Sequence, residues 1–176
     1  FYFFKHSASK HLLLLADNKQ VYFDTYKDLK ISGSNGFGID SWKHSYNFFP
    51  GMWTSNDHDF TNPNKKLITQ ANASPDLSNS NCEIYEYPGR YQDTQVGNGL
   101  VKNRVGLLET SYSIIGGKSK YIDFSSCSTF TINHKNFPKE NGNSYVITDI
   151  AHYVKNNLKE GDSNKQSIYE NEFSAI

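Results

Sequence analysis

The sequence has 176 residues, which is enough for one substantial domain or two small ones. Its 18 basic residues balance 18 acidic residues, and a net charge of zero argues against general binding to nucleic acids or acidic membranes. The longest apolar run, at residues 12–16, is far shorter than the about 20 residues of a membrane-spanning helix. Aromatic residues make up 15% of the chain, and their rings pack well across pleated strands. The composition therefore predicts a soluble, β-rich protein.

The first third of the chain has the pattern of short strands. Apolar residues at 1–4 and 11–16 flank a polar stretch, which is typical of a β-hairpin. Residues 21–29 alternate imperfectly and indicate a further strand. A loop rich in Ser, Asn and Gly follows at 32–36, and the aromatic segment at 38–54 predicts two strands around a Pro-Gly turn.

The middle of the chain contains a polar segment and the best helix candidate. Residues 69–81 are rich in Asn, Ser, Ala and Pro, so we expect an exposed linker there. A strand is predicted at 83–90. Apolar side chains then recur at intervals of about four, and Asp93 can cap the first turn, which predicts a helix near 94–110. Three glycines weaken this helix, so packing must stabilise it.

After the helix, the pattern returns to strands. Gly116 and Gly117 interrupt the apolar sequence. Four further strands are predicted, at residues 119–124, 128–132, 144–153 and 166–176. The polar residues at 156–164 predict a hairpin tip between the last two strands.

No motif of known catalytic chemistry occurs in the sequence. Residues 57–59 are Asp-His-Asp, but neighbours on an extended chain point in opposite directions, so a solvated loop is favoured over a metal site. His11 and His152 lie on predicted strands and favour structural roles. Residues 125–128 carry hydroxyl and thiol groups without the glycine turn that would aim a nucleophile. We therefore predict no catalytic residue, cofactor or metal ligand, and a role as scaffold or binding module.

Cys82 and Cys127 are the two cysteines of the sequence, and they lack metal-finger spacing. A disulfide scaffold is excluded, and two free thiols are favoured over a single bridge. The chain begins at Phe1 with an apolar segment, so we expect a fragment of a longer protein.

Residues 85–91, Tyr-Glu-Tyr-Pro-Gly-Arg-Tyr, resemble the Y-D-Y-P-G-R-Y signature of the VgrG family. These proteins are trimeric spikes of bacterial type VI secretion systems and are similar to the hub proteins of contractile-tail phages. Further blocks agree with the family in order and spacing, at residues 1–6, 11–17, 117–119, 130–134, 145–152 and 169–176. The resemblance therefore extends over essentially the whole chain.

The resemblance implies a mainly β fold with one helix, a phage-tail-hub-like barrel with an additional small strand layer. Residues 1–37 would form the strand layer of an α+β subdomain whose start is missing. Residues 38–176 would form the barrel-like domain, with its sheet built from residues 38–60 and 116–176 and its helix near 94–110.

The resemblance also implies a function, that of a non-enzymatic structural component of the secretion spike. As a homotrimeric hub it would cap the secreted tube and help deliver effectors into target cells. Its partners would be copies of itself, a hexameric Hcp-like tube protein, and effectors or adaptors bound through regions outside this chain, with no nucleic acid. It would assemble in the bacterial cytoplasm and then be translocated. The alternative is a carbohydrate-binding β-sandwich in which Trp42 and Trp53 stack on sugars.

The residues singled out by the resemblance form a structural motif, the 85–91 motif. Its key members are Tyr85, Tyr87, Pro88, Gly89, Arg90 and Tyr91. Pro88 fixes φ and Gly89 can adopt positive φ, so the segment is predicted to end a strand and turn the chain towards the helix. The tyrosines can bury their rings while their hydroxyls stay hydrogen-bonded. Arg90 is expected to form an ion pair within the chain or at its surface rather than across a subunit boundary.

Overall fold

The computed structural model of the chain describes residues 2–18, 21–31, 38–74, 79–133, 138–155 and 168–176. These residues form eleven β-strands, one α-helix and a short 3-10 helix at Pro138–Glu140. The strands are β1 Tyr2–Ser7, β2 Lys10–Leu15, β3 Phe23–Lys30, β4 Ile39–Tyr46, β5 Pro50–Ser55, β6 Thr69–Asn72, β7 Asn79–Glu86, β8 Ser113–Ser119, β9 Ser128–Asn133, β10 Ser144–Lys155 and β11 Ile168–Ala175. The helix, α1, covers Thr94–Thr110. The prediction of a mainly β fold with one helix is therefore confirmed.

The described strands form three sheets. β1 and β2 form a hairpin, β6-β5-β7 a three-stranded sheet, and β3-β9-β10-β11-β8-β4 a six-stranded sheet. In the largest sheet β3 runs parallel to β9, whereas β9, β10, β11 and β8 are successively antiparallel. A single parallel bridge between Ile31 and Ile39 joins the ends of its two edge strands. The sheet is therefore curled like a barrel, and the described residues contain no full ladder that closes it.

The chain divides into two compact units, unit 1 with Phe1–His44 and Ile115–Ile176, and unit 2 with Ser45–Ile114. Unit 1 has an aromatic core, in which the contacting rings of Phe124, Phe130, Tyr145 and Phe173 have centroids 5.4 to 5.7 Å apart. Buried aliphatic side chains complete this core, namely Ile39, Ile115, Ile132 and Ile147. The many Phe and Tyr residues of the sequence thus supply the interior of the six-stranded sheet.

Unit 2 is built from α1 and the three-stranded sheet. α1 contacts β5 and β6, and it buries Val101 and Val105. Val105 packs with Phe49 and Ala73 in a small core. The predicted cap is also present, because the side chain of Asp93 accepts the backbone N–H of Gln95 at 2.8 Å. The helix predicted near residues 94–110 is thus confirmed, and packing on one face compensates for its weak propensity.

The two units do not follow the predicted boundary between residues 37 and 38. β3 pairs with β9, which places Tyr26 opposite Phe130 and joins the first part of the chain to the last. β5 pairs with β6 and β7 instead of entering the six-stranded sheet, so residues 45–60 belong to unit 2. Strand pairing between distant segments decides this division, and the hydropathy pattern along the chain does not record such pairing.

The hairpin predicted at the start of the chain is confirmed, but the linker predicted at residues 69–81 is wrong at both ends, since β6 covers Thr69–Asn72 and β7 begins at Asn79. β6 pairs with β5, and both Thr69 and Ala73 are buried. The small side chains that suggested an exposed linker instead allow α1 to pack against β6.

The strand predicted at residues 119–124 lies earlier in the chain, as β8, and the two glycines expected to interrupt the pattern lie inside it. A Cβ atom at Gly117 would overlap the ring of Phe173 and lie 3.0 Å from the carbonyl oxygen of Ser41. Glycine is therefore required by the close approach of these neighbours. β8 ends at Ser119, whose hydroxyl accepts the N–H of Tyr121 at 2.9 Å.

The remaining predicted strands correspond to β9, β10 and β11. The hairpin tip predicted at residues 156–164 and His134 lie outside the described residues. Within the described part of the chain, no helix is long and apolar enough to span a membrane.

Candidate functional site

The 85–91 motif connects two elements of unit 2. β7 ends at Glu86, and α1 begins at Thr94. Between them, the peptide bond from Tyr87 to Pro88 is cis. This position agrees with the predicted turn between a strand and the helix.

Tyr91 is the buried anchor of the motif, with only 5% of its surface exposed. Its hydroxyl has one hydrogen to donate, and two carbonyl oxygens lie within hydrogen-bond distance of it, that of Ser55 at 2.8 Å and that of Leu67 at 2.6 Å. It also lies 2.8 Å from the hydroxyl of Thr69, which can donate to it. Because Ser55 ends β5 and Thr69 begins β6, Tyr91 ties both strands to the chain that enters α1.

Two glycines leave the space that the Tyr91 ring occupies. A Cβ atom at Gly89 would overlap Cε1 of Tyr91 and the hydroxyl of Ser55. A Cβ atom at Gly97, in α1, would lie 2.5 Å from Cε2 and 2.7 Å from Cζ of the same ring, and 2.9 Å from Cγ2 of Thr69. The two glycines thus meet opposite edges of the ring. We call this arrangement of Gly89, Tyr91 and Gly97 the tyrosine cradle.

The positive φ predicted at Gly89 is wrong. The residue in the left-handed region is Arg90, with φ of 61°, whereas Gly89 does not adopt that conformation. Gly89 is needed because a side chain has no room there. The unusual conformation of Arg90 is stabilised by Asp57, whose Oδ2 accepts the backbone N–H of Arg90.

The segment at residues 57–59 lies in a loop with His58 exposed, as predicted, and it supports this turn. Oδ1 of Asp57 accepts the N–H of His58 at 2.7 Å. Hydrogen bonds from the backbone of His58, and then of Arg90 and Tyr91, hold the pKa of Asp57 below its usual value, against a smaller opposing effect of desolvation. Asp57 therefore acts as a hydrogen-bond acceptor for the motif.

A second polar cluster lies at the end of β7. The carboxylate of Glu86 accepts the indole N–H of Trp53 at 3.2 Å and lies 3.6 Å from the guanidinium of Arg104. Arg104 also covers the Trp53 ring, with Cζ 5.6 Å from its centroid. The ion pair expected for Arg90 is not found among the described residues. The arginine that pairs with a carboxylate near the motif is Arg104, whose partner is Glu86.

The other two tyrosines of the motif are exposed. Tyr85 and Tyr87 expose 56% and 59% of their surface, and the hydroxyl of Tyr85 accepts the side-chain N–H of Asn56 at 3.3 Å. The expectation of a buried ring with a bonded hydroxyl therefore holds for Tyr91 alone.

Both tryptophans pack against other side chains of the fold. Trp42 packs edge-on against Tyr145 and Phe130, with centroid distances of 5.2 and 6.2 Å. Trp53 is partly buried, and Arg104 covers its ring. Trp42 thus packs against the aromatic core of unit 1, and Trp53 belongs to the polar cluster at the end of β7.

The histidines singled out in the sequence lie on different elements, His11 on β2, His58 in a loop and His152 on β10. His11 and His152 lie on strands, as predicted, but both are exposed. His11 contacts His6, with 2.6 Å between their Nδ1 atoms, and Nδ1 of His152 lies 2.7 Å from the hydroxyl of Tyr169. His58 is exposed.

The residues at 125–128 have no arrangement typical of a nucleophile. The hydroxyl of Ser126 donates to the carbonyl oxygen of Phe4 at 3.4 Å. Cys127 is buried, and burial raises the pKa of its thiol, which disfavours the reactive thiolate. Cys82 and Cys127 are both free thiols. No group of three or more His, Cys, Asp or Glu side chains that could hold a metal is present among the described residues.

Ser55, Thr69 and Gly97 are part of the cradle's surroundings and were not identified from the sequence. Ser55 contributes a backbone carbonyl, which any residue type carries, and Thr69 fell in the expected linker. Gly97 offered the one usable signal, because a glycine within a helix is costly unless a neighbour needs its space.

Comparison with known proteins supports the resemblance seen in the 85–91 motif. A family model described as phage tail baseplate hub (GPD) matches residues 1–158. The type VI secretion system spike proteins VgrG1a and VgrG1c of Pseudomonas aeruginosa are each 22% identical to this chain over 185 residues. These alignments cover 100% of the chain but only 28% and 25% of the two relatives, so the chain spans about a quarter of their length.

A solved structure, the tail protein from Neisseria meningitidis MC58, has a similar fold. Its TM-score is 0.54 at 7% sequence identity, and the match covers 85% of this chain and 43% of that protein. Since the family model extends over most of the sequence, the chain belongs to the phage tail baseplate hub (GPD) family.

Proposed function

We propose that this chain is a structural part of a trimeric hub in a type VI secretion spike and that it catalyses no reaction. The observation that carries the proposal is the family match over residues 1–158, together with spike proteins as relatives along the full chain. As part of the hub, the chain would help to cap the secreted tube and to deliver effectors into target cells.

The chemistry of the 85–91 motif supports a structural role. The hydroxyl of Tyr91 is occupied by two backbone carbonyls and Thr69, and the carboxylate of Asp57 is occupied by backbone N–H groups. Polar groups engaged in this way hold a turn in place and are not free to act on a substrate. Tyr85 and Tyr87 remain exposed beside this rigid turn, and we assign them to contacts with neighbouring components of the hub.

The partners follow from this role. The chain would contact copies of itself and a hexameric tube protein, while effectors or adaptors would bind regions of the longer protein outside this chain. Assembly would take place in the bacterial cytoplasm, before translocation into the target cell.

A secretion assay in a producing bacterium tests the proposal. Deleting the gene for the full protein should abolish release of the tube protein into the medium, and the wild-type gene should restore it. His58→Ala and Ser126→Ala should restore it equally well, because neither side chain has a catalytic role. Normal tube release in the deletion strain, in the absence of any related gene, would refute the hub function, and loss of release with a folded Ser126→Ala protein would refute the non-enzymatic role.

A glycan array provides the second arm, since it separates the hub from the carbohydrate-binding alternative. The hub function predicts no glycan binding, and saturable binding that is lost in Trp53→Ala would favour the alternative.

A further inference from the structure

Two histidine rings face each other on the hairpin of β1 and β2. His6 and His11 are directly opposite in the register, next to the pair of Ser7 and Lys10 that closes the two-residue turn. In a hairpin of this kind, the pair that follows the closing pair is not joined by backbone hydrogen bonds, and its side chains come closest together. Both rings are exposed to solvent.

The geometry of the two rings brings equivalent nitrogen atoms together. Their Nδ1 atoms are 2.6 Å apart, and their centroids are 4.9 Å apart with an angle of 64° between the ring planes. One of these nitrogens must carry a hydrogen and the other must accept it, because two lone pairs at this distance would repel each other. A metal ion that replaces this hydrogen can use both lone pairs.

We propose that His6 and His11 form a binding site for one divalent transition metal ion, with Zn²⁺ or Cu²⁺ as the best match to two imidazole ligands. Each metal–nitrogen bond is about 2.0 to 2.1 Å, so two ligands of a tetrahedral ion lie roughly 3.3 Å apart. The present separation is 2.6 Å, and small side-chain rotations of two exposed rings supply the difference of about 0.7 Å. Water molecules complete the coordination.

The hairpin arranges the two ligands in advance. The backbone register holds them opposite each other without help from a loop, and the ring of Phe4 stacks on His6 with an interplanar angle of 13° and a centroid distance of 6.2 Å. The second histidine therefore binds at a high effective concentration once the first has bound the ion. With two protein ligands, the affinity is lower than that of structural zinc sites with four.

This site was not visible in the sequence, where its ligands are five positions apart. The same spacing occurs in the histidine pair of zinc fingers, but no cysteine pair at finger spacing accompanies it in this sequence, and here a two-residue turn brings the two side chains together.

Isothermal titration of the full chain, without a polyhistidine tag, with ZnCl₂ tests the proposal. We expect one ion per chain, with affinity reduced roughly tenfold or more in His6→Ala and in His11→Ala. His58→Ala is the matched control, because this exposed histidine lies in a loop of unit 2 and does not line the cavity that His6 and His152 share. It should bind as the wild type does, and thermal melts of all variants without metal should show that each is folded.

Electron paramagnetic resonance with CuCl₂ provides a second measurement. The wild-type spectrum should show two coordinating nitrogens, and each single variant should show one. The proposal is refuted if folded wild type and His6→Ala bind Zn²⁺ equally, or if no binding is detected.

Discussion

The tyrosine cradle makes a specific prediction about the three glycines of α1. Alanine normally stabilises a helix relative to glycine, by up to about 1 kcal/mol per residue. The structure leaves open space around a Cβ atom at Gly99 and at Gly106, with nothing within 4 Å. At Gly97 the same atom would lie 2.5 Å from the Tyr91 ring. The same substitution should therefore have opposite effects at positions that differ only in their neighbours.

The magnitude follows from how firmly the ring is held. Normal contact between carbon atoms begins near 3.5 Å, so Gly97→Ala must displace the ring of Tyr91 or the helix by about 1 Å. The ring cannot move easily, because Gly89 borders its other edge and its hydroxyl is bonded to the carbonyls of Ser55 and Leu67. Overpacking of this kind costs about 1 to 3 kcal/mol. Gly97→Ala should therefore be less stable than Gly99→Ala by roughly 2 to 4 kcal/mol.

Chemical denaturation followed by the helical circular dichroism signal measures this difference. We expect Gly97→Ala to unfold at lower urea concentration than the wild type, and Gly99→Ala and Gly106→Ala to unfold at equal or higher concentration, with similar slopes. If Gly97→Ala is as stable as Gly99→Ala, the ring of Tyr91 is not confined by the helix, and the cradle does not explain the glycine.

Three further predictions concern the same turn. Tyr91→Phe should lower the free energy of unfolding by about 1 to 3 kcal/mol in urea titrations, because it removes the one buried hydroxyl that the carbonyls of Ser55 and Leu67 share and that also contacts Thr69. Arg90→Val should destabilise the chain more than Arg90→Gly, since a β-branched residue resists a φ of 61° and glycine adopts it freely; paired thermal melts measure this. The pKa of Asp57 is held below its usual value of 3.8, so its carboxylate stabilises the folded chain above that pH, and the contribution is lost as the pH falls through the lowered pKa. Asp57→Asn should therefore melt earlier than the wild type at neutral pH, and the two should converge in acid.

Each of these predictions has an outcome that would contradict it. An unchanged urea midpoint for Tyr91→Phe would mean that the two carbonyls find another donor. Equal melting of the two Arg90 variants would show that the left-handed conformation is not required. If the melting temperatures of Asp57→Asn and the wild type still differ at low pH, the charge of the carboxylate is not the cause of the difference.

Local patterns predicted the parts of the fold that depend on local interactions. The hairpin at the start, the helix with its cap Asp93, and the strands β9 to β11 follow from alternation, periodicity and turn residues within short windows. The resemblance carried by the 85–91 motif identified the family. The chemistry of the residues alone had not distinguished a scaffold from a binding module.

Long-range contacts account for what the sequence did not show. The pairing of β3 with β9 and the position of β5 in a separate sheet depend on partners far away in the chain. The reason expected for glycine at position 89, a positive φ, was also wrong. The lack of space beside Tyr91 becomes visible only when strand, turn and helix are assembled. The site formed by His6 and His11 likewise depends on the register of two strands.

The central claim is that this chain works as part of a trimeric hub, and native mass spectrometry of the full-length protein tests it most directly. The proposed function predicts a complex with the mass of three subunits that survives dilution and carries no glycan or nucleic acid. A full-length protein that is folded yet remains monomeric, at concentrations where the tube protein forms its rings, would contradict the claim.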